Sequence, residues 1–179
     1  INKKNLRQII WKIRAKKVVL ATGSIERFLT FHNNDRPGIM LANSARKYLN
    51  HYSNKICKEV IIFTNNDSAY KTAIDFHRNN IDVKGIIDVR NQSNGDLVKK
   101  AANLGLKIYF KHAIINTKGR KRINKVFISE MDEKFEKLIG FPKKISCDLL
   151  CVSGGWTPTV HLFSQSRGKL IFRESDGTF

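Results

Sequence analysis

Two short motifs contain the residues whose types and spacing best suit contact with a bound molecule. Ala21-Thr22-Gly23 follows an apolar run at 18–20, and Ser153-Gly154-Gly155-Trp156-Thr157-Pro158 follows another at 149–152. Small, flexible residues at the end of a buried strand let the backbone approach a ligand closely. We therefore predict a ligand contact at both motifs, made by the backbone rather than by reactive side chains.

The elements that must position these motifs follow an α/β pattern. Apolar runs predict strands at 6–14, 16–20, 59–63, 83–89, 106–116, 122–130 and 146–152. Helical periodicity predicts helices at 39–52, 69–78 and 97–104, Thr117-Lys118-Gly119 predicts a hairpin connection, and 135–144 is expected to be a polar link. The strands at 59–63 and 83–89 and the helix between them predict a parallel, right-handed βαβ unit.

The turn of this βαβ unit departs from the pattern of a dinucleotide-binding loop. Such a loop has Gly-x-Gly-x-x-Gly, because glycines let the pyrophosphate reach the N-terminus of the helix. Residues 64–69 read Thr-Asn-Asn-Asp-Ser-Ala instead, so β-carbons obstruct the approach and Asp67 repels a phosphate. We expect the unit to keep the fold without ordinary nucleotide affinity. Asp88, where a ribose-binding acid would lie, is then expected to be a turn residue at the end of a strand.

The composition bounds the possible partners. The chain has 179 residues and a formal net charge of +18, from 33 basic and 15 acidic residues. Such a charge favours nucleic acid or membrane surfaces as partners. The basic residues are spread along the chain, and the two locally dense segments, 3–17 and 118–125, lack the aromatic interleaving of a single-strand binder, so we expect no nucleic acid partner. The apolar runs are too short to span a bilayer, and we predict neither a signal peptide nor membrane association.

No residue pattern predicts catalysis or metal binding. Cys57, Cys147 and Cys151 have no zinc-ligand spacing and are expected to be buried thiols in a reducing cytoplasm. His161 has no acidic residue nearby in the sequence, so we interpret it as structural. The other histidines show no metal-ligand spacing.

Four longer motifs resemble one known family. Residues 11–27, 33–42, 63–70 and 152–163 are similar to the alpha subunit of heterotetrameric sarcosine oxidase, and the resemblance runs over essentially the whole chain. It implies a glutathione-reductase-like pair of nucleotide-binding folds, one inserted into the other. The expected class is thus α/β: a Rossmann-like βαβ unit with a β-hairpin addition, inserted between two strands of an incomplete outer FAD/NAD(P)-type domain.

The resemblance also implies how the chain is divided. Residues 1–55 are expected to be part of the outer dinucleotide-binding domain, 56–145 the inserted unit with its degenerate glycine loop, and 146–179 the return to the outer domain. We expect the chain to be an internal fragment, with the first glycine loop of the outer fold upstream of Ile1. The strands at 16–23 and 146–153 are then expected to expose their edges.

The resemblance further implies cofactors and site residues. Thr22, Gly23, Gly154 and Gly155 match positions where the chain approaches the outer dinucleotide, while Trp156 and Pro158 shape that loop. The alpha subunit of the family carries NAD, and the whole complex also uses FAD, FMN and tetrahydrofolate. That enzyme, with its beta, gamma and delta subunits, demethylates sarcosine oxidatively, produces hydrogen peroxide and transfers the one-carbon unit to tetrahydrofolate. The chain itself is expected to bind cofactor and to act as a scaffold.

Several alternatives remain open at this stage. The chain could instead come from an FAD-dependent oxidoreductase of the pyridine-nucleotide/disulfide type, or be a basic nucleic-acid-binding module. The glycines could only terminate two core strands. Arg27 could face a phosphate or solvent, and Glu26 with Arg27 could form a surface ion pair. The loop Asp35-Arg36-Pro37-Gly38 could contact another subunit or be a self-satisfied turn.

Overall fold

The computed structural model describes residues 8–179. It contains ten strands and four helices in this part of the chain. In chain order they are β1 (Ser24–Glu26), β2 (Ile39–Leu41), α1 (Ala42–Asn50), β3 (Glu59–Thr64), α2 (Ser68–Arg78), β4 (Asp82–Asp88), α3 (Asp96–Asn103), β5 (Ile108–Phe110), β6 (His112–Lys118), β7 (Lys125–Met131), β8 (Leu138–Ser146), β9 (Leu149–Ser153), β10 (Trp156–Pro158) and α4 (His161–Gln165).

A five-stranded parallel sheet is the centre of the fold, with strand order β2-β9-β3-β4-β5. Alternate residues of its strands enter different hydrophobic clusters. In β3, Val60 and Ile62 pack with the helices, whereas Ile61 and Phe63 pack with the antiparallel strands. Because both faces are covered, the central strands contain consecutive apolar residues, as at 60–63 and 149–152, rather than one at every second position. The Rossmann-like α/β class predicted from the sequence is thereby confirmed.

A three-stranded antiparallel sheet, β6-β7-β8, covers the face of the parallel sheet opposite the helices. The chain enters it at Lys111, whose positive φ of 57° separates β5 from β6. The single strand predicted at 106–116 is therefore two strands in two sheets. The hairpin predicted around 117–119 is present, since β6 and β7 pair antiparallel.

The polar link predicted at 135–144 is wrong, because residues 138–146 form β8. This strand is the outer strand of its sheet and is exposed along almost its whole length. It is recognised by its backbone pairing with β7 and not by an apolar alternation in its sequence. The helix predicted at 39–52 is shorter than expected, because 39–41 form β2 and the helix covers 42–50.

The buried strand predicted at 16–20 is also wrong. Residues 16–20 have no strand assignment, and Val18 and Val19 are 77% and 88% exposed. No strand of the described residues lies beside them to pair with their backbone. The strand predicted at 6–14 is likewise not observed at residues 8–14, and residues 6 and 7 lie outside the described part of the chain.

The parallel sheet extends across both expected domain boundaries. Strand β2 precedes residue 55 and β9 follows residue 145, yet both pair within the same sheet as β3. Strand β9 is central, so the edge predicted for 146–153 is not exposed. If the chain is divided according to the sheet, β2 to β9 belong to one unit. We propose that the chain enters this unit through β1 and leaves it through β10.

No helix among residues 8–179 is long and apolar enough to cross a membrane.

Candidate functional site

The two glycine-containing motifs of the sequence meet in space. Strand β1 pairs antiparallel with β10, with Ser24 opposite Pro158 and Glu26 opposite Trp156. Just before this two-stranded ribbon, the Thr22 Oγ1 hydroxyl donates a hydrogen bond to the Thr159 carbonyl at 2.6 Å. The Thr159 amide donates to the Gly23 carbonyl at 2.9 Å. Residues far apart in sequence therefore form one feature, the ribbon, through which the chain enters and leaves the parallel sheet.

The glycines of the two motifs differ in their surroundings. Gly23 has a φ of +68°, and a β-carbon added there would meet no atom within 4 Å. Gly155 has a φ of +92°, and its β-carbon would lie 3.1 Å from Nη2 of Arg27. A β-carbon on Gly154 would lie 3.0 Å from the Phe28 carbonyl. Gly23 therefore faces open space, whereas Gly154 and Gly155 are needed for close packing against the chain that follows β1.

Gly154 and Gly155 follow β9 at the carboxyl edge of the parallel sheet. Strand β9 is the neighbour of β3 on one side, and the chain after β3 continues to β4, its neighbour on the other side. The strand order therefore reverses between β9 and β3. Ligands of open α/β sheets bind outside the carboxyl ends of the strands at such points. Here Asn66 Nδ2 donates to the Ser153 carbonyl at 3.2 Å and to Ser153 Oγ at 3.1 Å, which joins the two strand ends directly.

A cleft of about 450 Å³ lies beside the hydrogen bonds that join Asn66 to Ser153. Its lining residues come from the ribbon, from the ends of β3 and β9, and from the C-terminal part of the chain: Arg27, Asn65, Asn66, Gly154, Gly155, Trp156, Ser175 and Asp176. Three of the six predicted cofactor-contact residues, Gly154, Gly155 and Trp156, line it. The other three do not line it: Thr22 and Gly23 lie just before β1, and Pro158 ends β10.

Arg27 is the one arginine among the described residues that line this cleft. Its Nη2 donates to the Asp176 carbonyl at 2.8 Å and its Nη1 to the Gly177 carbonyl at 3.3 Å. Its Nε is buried and has no hydrogen-bond partner among residues 8–179. A buried donor left without a partner costs about 1–3 kcal/mol. Among the described residues Arg27 therefore contacts backbone carbonyls and no carboxylate, and the alternative that it faces a phosphate stays a prediction.

Trp156 connects the ribbon to α2, the helix of the βαβ unit. Its Nε1 donates to Ser68 Oγ at 2.8 Å, and Ser68 Oγ donates to Asn66 Oδ1 at 2.6 Å. A smaller, more enclosed pocket of about 170 Å³ lies beneath this contact, between the starts of α1 and α2. Trp156 therefore forms a hydrogen-bonded bridge between β10 and α2, and its role in shaping a cofactor loop stays a prediction.

Glu26 lies in that smaller pocket and was missed as a buried residue by the sequence analysis. Its side chain is 9% exposed, and its Oε2 accepts a hydrogen bond from the Asn43 amide near the start of α1 at 2.9 Å. Burial raises the pKa of the Glu26 carboxyl, and hydrogen bonds from Ser153 and from the Asn43 amide oppose this shift. The surface ion pair considered for Glu26 and Arg27 is not formed; Glu26 instead anchors β1 to the parallel sheet.

The degenerate loop between β3 and α2 is held by its own side chains. Asn66 Oδ1 accepts hydrogen bonds from the Ser68 amide and hydroxyl, and the Thr64 hydroxyl accepts one from the Asn66 amide. Asp67 pairs with Arg90 at 2.8 Å and accepts from Ser93 Oγ at 2.9 Å. The place where a glycine loop would leave room for a pyrophosphate is therefore occupied by polar side chains and by the negative charge of Asp67.

Asp88 is the centre of a buried network. Its carboxylate, 0% exposed, accepts hydrogen bonds from the Tyr70 hydroxyl at 2.7 Å and from the Arg90 guanidinium at 2.7 and 3.0 Å. Burial, together with the charge of Asp88, raises the pKa of Tyr70. With its oxygens engaged by these donors, Asp88 is placed as a structural residue at the end of β4, as the sequence suggested. These residues do not fit a dinucleotide in the inserted unit.

The loop at 35–38 is tied to the rest of the chain. Arg36 Nη1 donates to the Gly119 carbonyl, the Ile123 amide donates to the Pro37 carbonyl at 2.8 Å, and the Leu150 amide donates to the Gly38 carbonyl at 2.8 Å. The loop is therefore held by other segments of the same chain rather than by its own turn residues alone, and the subunit contact stays a prediction. His161, at the start of α4, is exposed. Among residues 8–179, no group of three or more His, Cys, Asp or Glu side chains is arranged to hold a metal ion.

Comparison with known proteins gives the same relationship along nearly the whole chain. The chain is 38% identical over 175 residues to the sarcosine oxidase subunit alpha of Corynebacterium sp. (strain P-1), which is 97% of this chain and 18% of that protein. It is 33% identical over 170 residues to the corresponding subunit of Rhizobium meliloti (strain 1021), covering 95% of this chain and 16% of that subunit. The chain therefore spans less than one fifth of these relatives. No family model matches it.

Solved structures show the same fold at low sequence identity. Thioredoxin reductase of T. acidophilum matches with a TM-score of 0.61 at 16% identity, over 86% of this chain and 48% of that one. L-proline dehydrogenase from P. horikoshii matches with a TM-score of 0.52 at 22% identity, over 89% of this chain and 25% of that one. The resemblance predicted from the four motifs is confirmed: this chain is a homologue of one segment of the sarcosine oxidase alpha subunit.

Proposed function

We propose that this chain is a cofactor-binding and scaffold segment of an oxidoreductase of the sarcosine oxidase type. In this proposal a dinucleotide, NAD or FAD, lies against the ribbon, with Thr22 and Gly23 on one side and Gly154, Gly155, Trp156 and Pro158 on the other. The observation that carries the proposal is the hydrogen-bonded meeting of the Thr22-Gly23 turn with Thr159, next to the open space at Gly23. The dinucleotide supplies the electron transfer; these residues bind and orient it.

The activity of the whole enzyme belongs to the same proposal. The relatives are named as a subunit of sarcosine oxidase. By that relationship we infer oxidative demethylation of sarcosine with production of hydrogen peroxide and transfer of the one-carbon unit to tetrahydrofolate. We further infer FAD and FMN in the complex, beta, gamma and delta subunits as partners, and a cytoplasmic location, which the three free cysteines support.

The alternative of a disulfide-type flavoprotein reductase is less well supported. That chemistry needs an accessible, low-pKa thiolate. Burial, with the nearby Asp148 charge, raises the pKa of Cys57 and of Cys147 to about 12, and burial also raises that of Cys151. The thiols of this chain are therefore poorly suited to attack a disulfide.

The test compares two glycines that share backbone geometry but differ in place. Gly23 and Gly105 have φ of +68° and +75°, and neither would bring a β-carbon within 4 Å of another atom. Gly23→Val and Gly105→Val therefore carry a similar backbone cost, while only the first fills the space beside the ribbon. Both variants are made in the full-length subunit, assembled with its partner subunits. Bound NAD and flavin are measured after release, and sarcosine-dependent hydrogen peroxide is measured in parallel.

We expect Gly23→Val to lose dinucleotide and activity and Gly105→Val to keep both. Equal dinucleotide content in the two variants would contradict the placement of the cofactor at the ribbon. An assembled wild-type complex that binds a dinucleotide but does not oxidise sarcosine would contradict the assigned substrate and leave the placement of the cofactor unaffected.

A further inference from the structure

Arg27 has no carboxylate partner among residues 8–179. Its two terminal nitrogens donate to neutral backbone carbonyls, those of Asp176 and Gly177, and its Nε has no partner among residues 8–179. The Asp176 carboxylate pairs with Arg173 at 3.5 Å and accepts a hydrogen bond from the Thr178 hydroxyl at 3.0 Å, so its own charge is partly met there. A guanidinium forms stronger, charge-assisted hydrogen bonds with an anion than with carbonyls. The contacts to this turn are therefore weaker than those that an anion could make with the same group.

The surroundings of Arg27 suit an anion. The cleft of about 450 Å³ is many times the ~30 Å³ share of one water molecule in the liquid. Its lining also includes Asp176 and the side chains of Asn65 and Asn66, whose amides already donate to the Gly154 carbonyl at 3.4 Å and to the Ser153 carbonyl at 3.2 Å. Gly154 and Gly155 add no β-carbon to this lining. The cleft also lies at the carboxyl edge of the parallel sheet, where the strand order reverses.

We propose that this cleft binds a phosphate group with the Arg27 guanidinium as its charge partner, and that the carbonyls of Asp176 and Gly177 compete with the phosphate for that guanidinium. The inference deepens the proposed function, on which it rests for the identity of the ligand as a dinucleotide. It assigns the pyrophosphate of that dinucleotide to Arg27, in a chain whose βαβ loop lacks glycines.

The test uses the full-length subunit in its complex and three probes: inorganic pyrophosphate, NAD and FAD. Binding is measured by calorimetry for Arg27→Gln, Arg27→Lys and a control, Arg78→Gln, which removes the same charge from an exposed residue at the end of α2. We expect Arg27→Gln to weaken pyrophosphate and one dinucleotide by about ten-fold or more, because it removes a charge-assisted pair. Arg27→Lys should be intermediate, and Arg78→Gln should stay within about two-fold of wild type.

A second variant gives a change of opposite sign, which a purely structural Arg27 would not produce. Thr178→Val removes the hydroxyl that holds the Asp176 carboxylate and loosens the turn. It should raise the affinity for pyrophosphate, because the competing carbonyls are held less firmly. Melting temperatures of all variants are recorded, and Arg27→Lys, which keeps a cation, decides the matter if Arg27→Gln does not fold.

Each outcome separates this inference from the proposed function. Pyrophosphate binding that Arg27→Gln and Arg27→Lys leave unchanged, or no binding to the wild type, overturns the phosphate site. If dinucleotide content depends on Gly23 but not on Arg27, the phosphate site fails while the cofactor placement stands. If pyrophosphate binding depends on Arg27 while Gly23→Val keeps its dinucleotide, the phosphate site stands and the cofactor placement fails. Pyrophosphate binding that depends on Arg27 without binding of NAD or FAD supports the site with a free phosphate compound as ligand.

Discussion

Removing the hydroxyl of Tyr70 tests whether Asp88 is a structural residue or a ligand residue. The hydroxyl is 2.7 Å from an Asp88 carboxylate oxygen, and both side chains are fully buried. A hydrogen bond to a charged group contributes about 1.5–3 kcal/mol. Asp88 keeps its bonds from Arg90, so we expect Tyr70→Phe to lower the local stability by about 2 kcal/mol, at the lower part of that range.

Asp88→Asn should have a larger effect, because it leaves Arg90 facing a neutral group. Breaking a buried ion pair costs about 3–5 kcal/mol. Arg90 is 28% exposed and keeps its ion pair with Asp67 at 2.8 Å. We therefore expect Asp88→Asn to lower the local stability by about 3 kcal/mol, the low end of that range. In contrast, Glu59→Gln disrupts the partly exposed pair with Lys84 and should change stability by less than about 1 kcal/mol.

The assay is hydrogen exchange of β3 and β4 amides, read by mass spectrometry in the assembled complex. A loss of about 2 kcal/mol corresponds to roughly 30-fold faster exchange through local opening. Exchange that rises less than about three-fold in Tyr70→Phe would refute the estimate. A loss of bound dinucleotide in Asp88→Asn without faster exchange would refute the structural role itself and make Asp88 a ligand residue.

Three further predictions concern the ribbon and the thiols. Folding raises the pKa of the Glu26 carboxyl above its ordinary value of 4.5, so the free energy of unfolding should fall as the pH rises from about 4.5 through that raised pKa. Melting temperatures measured across this pH range should depend less on pH in Glu26→Gln than in the wild type. Trp156→Phe removes the donor to Ser68 and should cost about 1 kcal/mol, seen as faster exchange at the start of α2, whereas an unchanged rate would deny the bridge. With its pKa near 12, Cys147 is about one part in ten thousand thiolate at pH 8, so iodoacetamide should label it only after unfolding.

The parallel part of the fold could be predicted from sequence because its signals are local. The strand at 59–63, the helix at 69–78 and the strand at 83–89 each combine an apolar run or period with polar turn residues, and they match β3, α2 and β4 closely. The segments at 16–20 and 138–146 misled for opposite reasons. The first has the apolar composition of a strand without a described pairing partner, and the second is a paired strand whose side chains face solvent.

The candidate site could be predicted in part. The family resemblance predicts that Thr22, Gly23, Gly154 and Gly155 approach one cofactor. The β1–β10 ribbon joins the two motifs, with Thr22 and Gly23 bonded to Thr159 and with Gly154 and Gly155 bonded to Arg27. Their contact with a cofactor stays a prediction. The partners of Arg27 could not be predicted. They are backbone carbonyls 149 and 150 positions away, and a carbonyl leaves no trace in the residue type. The burial of Glu26 likewise depends on the start of α1, which its local sequence does not reveal.

The charges of the βαβ unit argue that a dinucleotide is directed away from it. A phosphate at the start of α2 would meet the carboxylate of Asp67, and it would have to separate Asp67 from Arg90 and Ser93. Arg90 could not follow the phosphate without leaving Asp88, whose burial makes an unpaired charge costly. Arg27 has no such commitment, since only carbonyls hold its terminal nitrogens. Of these two guanidinium groups at the carboxyl edge of the sheet, Arg27 is therefore the one that an anion can engage without breaking an ion pair.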